Sequence, residues 1–293
     1  MIVSLGEPMI EFNQVEARKY LQGFGGDTSN MIIAAARSGA RTAYLTRVGD
    51  DEFGRMLLEL WQRESVDTSQ VIIDRNAPTA AYFVTHGPNG HAFSYLRAGS
   101  AASRLQPTDL PDLEKAALVH ASGISMAISQ SACDTVLAAF ERAKGMISFD
   151  SNLRLKLWPL ARAREMIGKA AAMADYFFPS LEDAQQLSGE KSPDANVDWA
   201  HRLGAKTVFL KLGPDGVVVS DGKTRQHIPG LKVKAVDATG AGDCFCGAAL
   251  ARLAAGDTIW EAARYANAAA ALATTGFGAV DPLPREAEVR TLI

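Results

Sequence analysis

Short apolar runs rich in β-branched and aromatic residues alternate along the chain with longer runs rich in Ala and Leu. The short runs predict buried strands and the longer runs predict helices, because a strand spans few residues and a helix needs several turns. The predicted strands are residues 2–5, 41–48, 118–121, 146–149, 176–178, 207–212, 217–220 and 232–236. The predicted helices are residues 28–38, 51–64, 130–144, 161–172, 194–203, 242–255 and 258–275. This alternation predicts parallel βαβ units, so we expect an α/β fold, a three-layer α/β/α sandwich with a mostly parallel central sheet.

Two regions depart from this alternation. Residues 9–24 show no helical period, and two strand-like runs, 80–85 and 92–96, flank the sequence Gly-Pro-Asn-Gly at 87–90, which is typical of a hairpin turn. Strands outside the βαβ series predict a small β-sheet beside the main sheet, placed to cover a site as a lid. We therefore expect one domain over residues 1–293, with the lid formed by segments of about 8–24 and 78–98.

The composition is that of an ordinary globular protein and narrows the function classes. Of 293 residues, 47% are hydrophobic and 22% are charged, with a formal net charge of −3, which excludes a disordered, collagen-like or coiled-coil chain. The near-neutral charge argues against a nucleic-acid partner, and no apolar stretch reaches the roughly 18 residues of a membrane span. Three Cys imply no disulfide framework and the N-terminus lacks a signal-peptide pattern, so we expect a cytoplasmic protein with no membrane partner.

The strongest local signal is the run Asp-Ala-Thr-Gly-Ala-Gly-Asp at 237–243, directly before a predicted helix. Its small residues let backbone N–H groups converge at the helix N-terminus, where the helix dipole also favours an anion. A carboxylate at Asp243 suits a group that accepts the proton of an attacking hydroxyl while the N–H groups hold a transferring phosphoryl group. The simpler alternative is a capped turn with an Asp in the first helical turn.

Other phosphate and metal patterns do not fit the sequence. No G-x-G-x-x-G follows a predicted strand, which argues against a Rossmann dehydrogenase. The run GVVVSDGKT at 216–224 is one residue too long for a P-loop, precedes no helix and is typical of a hairpin. The five His show no metal-ligand spacing, and Cys244 and Cys246 diverge on a predicted helix, so both are expected to be core thiols.

Two glycine-containing turns are candidate ligand-binding loops. The run Lys-Leu-Gly-Pro-Asp-Gly at 211–216 closes a predicted strand, where α/β folds place ligands. The run Gly-Gly-Asp-Thr-Ser-Asn at 25–30 opens a helix with Asp27 or Thr28 as its expected cap, and its Asp and Asn side chains can bond hydroxyls. An ordinary turn and a flexible capped loop remain the alternatives.

Two arginines indicate the charge of a substrate. Tyr95 and Arg97 lie two residues apart on one strand face, and Arg154 follows another predicted strand. Arginine binds carboxylates through a planar fork, so two such groups would suit an anionic substrate. Solvated surface arginines remain the alternative for either residue.

Together these motifs resemble the ribokinase-like (PfkB-type) carbohydrate kinases over essentially the whole chain. Gly25 and Gly26 with Asn30 resemble the N-terminal signature of the family, and the run 237–243 matches its D-x-T-G-A-G-D motif at every fixed position. Within the family the chain is most similar to 2-keto-3-deoxygluconate kinases. The features that carry this closer similarity are Gly-Gly-Asp-Thr at 25–28, the run 95–103, and Asp150-x-Asn152-x-Arg154 followed by Leu157-Trp158.

The resemblance implies a role for each matching residue. It makes Asp243 the catalytic base and Gly240, Ala241 and Gly242 the anion hole. The implied substrate-binding residues are Gly26, Asp27, Asn30, Tyr82, Tyr95, Arg97, Arg154 and Asp243. The implied ATP-binding residues are Asn152, Ser180, Lys211, Gly213, Gly216, Gly240, Gly242 and Asn267. Asp237 and Thr239 match positions that bind a monovalent cation, such as K⁺, in some members.

One motif departs from the family pattern. Many members carry N-x-x-E after the middle strand, a motif linked to magnesium and phosphate. Here Ser180 stands in the place of the Asn and Asp183 in the place of the Glu. The residues that would contact Mg²⁺ therefore stay unassigned.

The expected function is ATP-dependent phosphorylation of the terminal hydroxyl of 2-keto-3-deoxygluconate, with Mg²⁺ and in some members K⁺ as cofactors. A sugar acid and ATP would be the small-molecule partners, and an exposed sheet edge of the lid predicts a homo-oligomer. The first alternative is a fructokinase or another sugar kinase of the family. The second is a catalytically silent regulator that binds a sugar or a nucleotide.

Overall fold

A ten-stranded mixed sheet forms the centre of the protein, which a computed structural model describes over residues 1–87 and 90–293. The strands are β1 (Ile2–Leu5), β2 (Met9–Glu16), β3 (Lys19–Gly25), β4 (Thr42–Gly49), β5 (Val66–Asp67), β6 (Val71–Asp74), β7 (Ala81–Gly87), β8 (Gly90–Leu96), β9 (Leu118–Ser122), β10 (Met146–Asp150), β11 (Tyr176–Phe178), β12 (Thr207–Lys211), β13 (Val217–Ser220) and β14 (Arg225–Ile228). The helices are α1 (Asp27–Arg37), α2 (Glu52–Arg63), α3 (Gly123–Ala127), α4 (Gln130–Arg142), α5 (Leu160–Met173), α6 (Leu181–Ser188), α7 (Pro193–Leu203), α8 (Ala241–Ala254), α9 (Ile259–Ala273) and α10 (Glu286–Arg290). Within the described ranges, none of the helices has the length and apolar character that crossing a membrane requires.

The central sheet is parallel over most of its width. Its strand order is β14-β13-β12-β11-β10-β9-β1-β4-β5, and β6 pairs with the second half of β4. Only the pairings of β12 with β13 and of β13 with β14 are antiparallel in this described sheet. One apolar cluster lies under α1, α2, α8 and α9, and a second lies on the other face under α4, α5 and α7. The predicted three-layer α/β/α sandwich is therefore confirmed.

A second, smaller sheet stands beside the first, as the sequence predicts. Its order is β3-β2-β7-β8, with β2 parallel to β7 and the two outer pairings antiparallel. The neighbouring antiparallel strands β7 and β8 agree with the predicted hairpin. Its predicted turn residues Pro88 and Asn89 lie outside the described residues.

Two local expectations are wrong. Residues 232–236 are not a strand, because the backbone N–H of Val236 donates to the carbonyl of Thr274 at 2.7 Å and so attaches this segment to the end of α9. The strand beside β13 is instead β14. The N-cap of α1 is Gly26, at φ 100°, and Asp27 is already the first helical residue.

Candidate active site

A large cavity opens between the carboxyl ends of the central strands and the second sheet. Its volume is about 990 Å³. Parallel α/β sheets place ligands at this edge because the connecting loops there are free to carry side chains. The predicted site residues in its wall are Gly26, Asp27, Asn30, Tyr82, Tyr95, Arg97, Asn152, Arg154, Ser180, Lys211, Gly213, Thr239, Gly240, Gly242 and Asp243.

The N-terminus of α8 points its first turn into this cavity. Gly240 precedes the helix at φ 76°, a left-handed conformation that favours glycine. The first N–H groups of any helix lack a partner within the helix, so this turn presents donors and a positive dipole end to the cavity. The N–H of Ala241 is the exception, since it donates to the carbonyl of Ala238 at 3.2 Å. The predicted anion site is therefore built around the N–H groups that follow it.

Asp243, the third residue of α8, is held by Asn30 from α1. The Nδ2 atom of Asn30 donates to Oδ2 of Asp243 at 2.8 Å. Burial, and after it the charge of Asp27, raises the pKa of Asp243 to about 8. A carboxyl group with a raised pKa holds a proton more readily than a free one, which suits a group that takes up a proton.

Asp27, the first residue of α1, has a corresponding asparagine partner. The Nδ2 atom of Asn152 donates to Oδ2 of Asp27 at 2.8 Å. The backbone of Asn152 has φ 28°, a conformation that residues other than glycine rarely adopt. Burial raises the pKa of Asp27 above its usual value. Asn152 thus contacts a predicted substrate-binding residue, although the resemblance implies a role for it on the ATP side.

Lys211 brings a positive charge to the anion site. Its Nζ atom donates to Oδ2 of Asp150 at 2.6 Å. Burial alone would lower the pKa of Lys211, but the charge of Asp150 raises it above its usual value, so the ammonium group stays charged. A Cβ atom placed on Gly242 would lie 3.6 Å from Nζ, so the cation faces the first turn of α8.

Aromatic side chains of the second sheet form the opposite wall. The rings of Tyr82 and Tyr95 lie 5.8 Å apart and those of Phe93 and Tyr95 6.2 Å apart. The guanidinium group of Arg97 lies over the Tyr95 ring, 5.2 Å from its centre. Such a wall offers an apolar face and hydroxyl groups to a sugar-sized ligand.

The two arginines differ in their partners. Arg97 forms an ion pair with Glu7, a carboxylate that is only 1% exposed and also accepts from Ser100 at 3.3 Å. Arg154 is exposed, and its guanidinium donates to the carbonyl of Leu153 at 2.8 Å. No ion pair of Arg154 with a carboxylate is found within residues 1–87 and 90–293. Arg154 is therefore the arginine whose charge is left for a ligand.

Four predicted residues lie outside the described cavity wall, namely Gly216, Asp237, Ala241 and Asn267. Gly216 turns at φ 96° against the backbone of residues 228–230. Asn267 donates through Nδ2 to the carbonyls of Ile228 and Pro229 at 3.1 and 3.2 Å. Asp237 accepts from the N–H and hydroxyl of Thr239 at 2.9 and 2.7 Å. The side chains of Asn267 and Asp237 thus hold loops that surround the cavity.

The two residues that depart from the family motif also hold a loop. Ser180 caps α6 by accepting from the N–H of Asp183 at 3.1 Å. Asp183 in turn accepts from the hydroxyl of Ser151 at 2.7 Å and from the N–H of Leu153 at 3.0 Å. Burial raises the pKa of Asp183. The pair thereby fixes the segment that carries Asn152.

Sequence reasoning missed several residues of the cavity wall, namely Glu7, Phe93, Asp150 and Lys156. For Glu7 a signal was available, because a charged residue inside an apolar N-terminal run must find a partner once it is buried. Asp150 stands in the run Asp150-x-Asn152-x-Arg154 that carries the resemblance, although the resemblance assigns it no role. For Phe93 and Lys156 the sequence contains no comparable signal. Their position depends on which strand ends lie next to one another.

Comparisons with known proteins agree with this geometry. The model of the pfkB family of carbohydrate kinases matches residues 1–286. The 2-dehydro-3-deoxygluconokinase of Thermoproteus tenax is 38% identical, over 98% of this chain and 93% of that protein. Fructokinase-1 of Zea mays is 35% identical, over 100% of this chain and 97% of that protein. The crystal structure of a fructokinase from Vibrio cholerae, with fructose, ADP and a calcium ion bound, superposes with a TM-score of 0.91. The two sequences are 30% identical, and the superposition covers 99% of this chain and 98% of that chain.

The first prediction concerns Gly26. A Cβ atom there would collide with the carbonyl oxygen of Glu7 and lie 2.8 Å from Cα of Pro8, at a backbone φ of 100°. We expect Gly26→Ala to lower the free energy of unfolding by more than the roughly 1–2 kcal/mol of left-handed strain alone. The control is Gly189→Ala, at φ 85° with open space around it, which should show the strain alone. Equal losses in urea denaturation of the two variants would contradict the proposed close approach.

The second prediction follows from the raised pKa of Asp243. The folded protein keeps a proton there that the unfolded chain releases, so this group lowers stability as pH rises from about 4 to 8. Asp243→Asn keeps the shape and the contact with Asn30 but removes the titration. We expect thermal unfolding to show a higher Tm for the variant at pH 8 and a clearly smaller difference at pH 5. The same difference in Tm at both pH values would disprove the burial effect.

Proposed function

This chain belongs to the pfkB family of carbohydrate kinases, and on that premise we propose that it phosphorylates the terminal hydroxyl of 2-keto-3-deoxygluconate with ATP. The observation that carries the kinase activity is Asp243, half-buried at the N-terminus of α8 in the cavity wall. The choice of a sugar acid rests on Arg154 and on the relative from Thermoproteus tenax.

Asp243 accepts the proton of the attacking hydroxyl in this proposal. Asn30 occupies Oδ2 of Asp243, which leaves Oδ1 to accept a hydrogen bond from the sugar. Loss of the proton to Asp243 makes the sugar oxygen a better nucleophile toward the γ-phosphorus of ATP.

The first turn of α8 and Lys211 stabilise the charge of the transferring phosphoryl group. Helix N–H groups that lack a helical partner donate to its oxygens, and the ammonium group of Lys211 adds a full positive charge close by. The Asp150 carboxylate keeps this ammonium in place before ATP arrives. Such preorganised charges lower the barrier because they need no rearrangement during the reaction.

The residues present fit a magnesium ion that is held mainly by ATP. Within the described residues no cluster of three or more His, Cys, Asp or Glu side chains forms a metal cage. Mg²⁺ commonly binds through one or two carboxylates together with substrate phosphates, and Asp150, Glu182 and Asp183 line the cavity. When bound, the ion would neutralise charge on the phosphates. For K⁺, the loop that holds Asp237 and Thr239 remains the proposed site, because it offers a carboxylate and a hydroxyl oxygen.

The second sheet would act as the lid over the sugar. Tyr82 and Tyr95 project from β7 and β8, and Arg97 follows β8 directly. Closure of this wall would exclude water, which otherwise competes with the sugar hydroxyl as phosphoryl acceptor.

Fructose is the second candidate substrate. The maize fructokinase is almost as similar as the 2-dehydro-3-deoxygluconokinase from Thermoproteus tenax. In addition, Glu7 already neutralises Arg97, so one of the two arginines predicted to bind a carboxylate is compensated within the protein. A silent regulator has less support, because Asp243, Asn30 and Lys211 are all placed in the cavity.

A loss of turnover on removing the base tests the kinase activity. Asp243→Asn keeps the size of the side chain but accepts no proton. We expect kcat to fall by about 10²–10⁴-fold, since general-base catalysis typically contributes that much. Nucleotide binding, measured by calorimetry, should change little. A turnover close to that of the wild type would refute the role of Asp243.

The effect of Arg154→Ala on two substrates tests the choice of sugar. A charge-assisted bond to the carboxylate contributes about 1.5–3 kcal/mol, so KM for 2-keto-3-deoxygluconate should rise roughly tenfold to a hundredfold. The value of kcat should hold, because the carboxylate is bound alike in the ground and transition states. KM for fructose, which lacks the carboxylate, should change far less.

Arg75→Ala is the matched control for Arg154→Ala. It removes the same charge from a side chain that is 86% exposed and lies outside the cavity wall. We expect wild-type kinetics with both sugars. A wild-type enzyme that prefers fructose, or equal effects of Arg154→Ala on both sugars, would favour the fructokinase alternative.

A further inference from the structure

Glu11 is a buried carboxylate one strand away from the cavity wall. It lies in β2 and is 3% exposed. It pairs in register with Tyr82 of β7 on one side and with Gly23 of β3 on the other. Side chains in register on neighbouring strands share a face of the sheet, so the carboxylate and the phenol meet there. The structure thus gives Glu11 one close side-chain partner that itself reaches the cavity.

The hydrogen bond between them has a defined direction. An ionised carboxylate has only acceptor atoms, whereas a phenol has one proton and two lone pairs. The hydroxyl of Tyr82 donates to Oε2 of Glu11. Burial and the charge of Glu11 raise the pKa of Tyr82, so the phenol keeps its proton. With that proton committed to Glu11, only the lone pairs of the Tyr82 oxygen remain for other partners.

The ring of Tyr82 is held in place from the cavity side. It packs against Tyr95 and Phe93, with ring centres 5.8 and 6.3 Å away. Tyr82 belongs to the described cavity wall and Glu11 does not. Tyr82 is thus the hydrogen-bond partner through which Glu11 contacts the cavity wall.

We propose that Glu11 is a positioning residue for sugar recognition: by holding the proton of Tyr82, it makes the Tyr82 oxygen an acceptor for a hydroxyl of the sugar. This inference rests on the proposed function, because it assumes that a sugar occupies the cavity. It also assigns a selectivity. A ligand that places a carbonyl or carboxylate oxygen at Tyr82 meets a second acceptor there and is disfavoured, so the carboxylate of a sugar acid must lie elsewhere, toward Arg154.

A double-mutant cycle tests the proposal. The variants are Glu11→Gln, Tyr82→Phe and their combination, assayed at pH 8 with whichever sugar the wild type uses best. A neutral hydrogen bond contributes about 0.5–1.5 kcal/mol, so Tyr82→Phe should raise KM for the sugar roughly two- to tenfold while kcat holds. Glu11→Gln should raise the same KM about threefold, because an amide can also donate to the phenol and turn its proton toward the sugar. In a protein that already carries Tyr82→Phe, Glu11→Gln should not raise KM for the sugar any further.

Controls separate positioning from a loss of structure. Glu16→Gln makes the same change in the same strand at a side chain that is 63% exposed, and its kinetics should match the wild type. Glu11→Met, which removes the acceptor without adding a donor, should reproduce the rise in KM if Glu11→Gln folds poorly. KM for ATP should stay constant in every folded variant.

The outcomes distinguish this inference from the proposed function. If Glu11→Gln raises KM by the same factor with Tyr82 or Phe at position 82, or leaves KM unchanged in a folded protein, the positioning role is wrong. If the cycle behaves as expected but the sugar used best is fructose, the positioning role stands and 2-keto-3-deoxygluconate is wrong. If no sugar is phosphorylated, both are wrong.

Discussion

Burial of carboxylates around one cavity is the constraint on which the site depends. An isolated ionised carboxylate away from water is so costly that it either takes up a proton or finds a donor. Each acidic side chain here has such a donor: Asn30 for Asp243, Asn152 for Asp27, Lys211 for Asp150, Arg97 for Glu7 and Tyr82 for Glu11. Removing one partner would leave a buried charge without a compensating group, which destabilises the folded protein. The geometry of the site is therefore tied to the stability of the fold.

These pairs also connect distant parts of the chain. Asn30 and Asp243 are 213 residues apart, and Arg97 and Glu7 are 90 residues apart. The first pair joins α1 to α8 on one face of the central sheet, and the second joins the segment after β1 to the second sheet. The cavity can consequently form only when the sheets and helices have assembled. Asp243 shows the cost most directly, because the burial that brings its pKa near neutrality also makes the folded state less stable at high pH.

Periodicity and local motifs predict the framework but not the partners. The three-layer sandwich follows from alternating apolar runs, and the anion site follows from the small residues at 237–243, since both depend on neighbours in sequence. The ion pair of Arg97 with Glu7 depends on two segments that meet only in the folded protein, so the sequence shows a buried acid and a candidate arginine without joining them. Residues 232–236 show the same limit, because their apolar pattern suits a strand but their hydrogen bonds go to the end of α9.

Selectivity among sugars depends on which polar groups of the cavity have no partner within the protein and can therefore bind a ligand. The fructokinase from Vibrio cholerae superposes with a TM-score of 0.91 at 30% identity, so the backbone alone does not decide which sugar this chain binds. In this chain Glu7 neutralises the charge of Arg97, and Glu11 accepts the hydrogen bond that the Tyr82 hydroxyl donates. In the proposed function, the cavity then offers a guanidinium at Arg154, an acceptor at Tyr82 and a base at Asp243. A ligand that satisfies all three needs an anionic group, an internal hydroxyl and a terminal hydroxyl, which is the chemistry of a hydroxylated sugar acid.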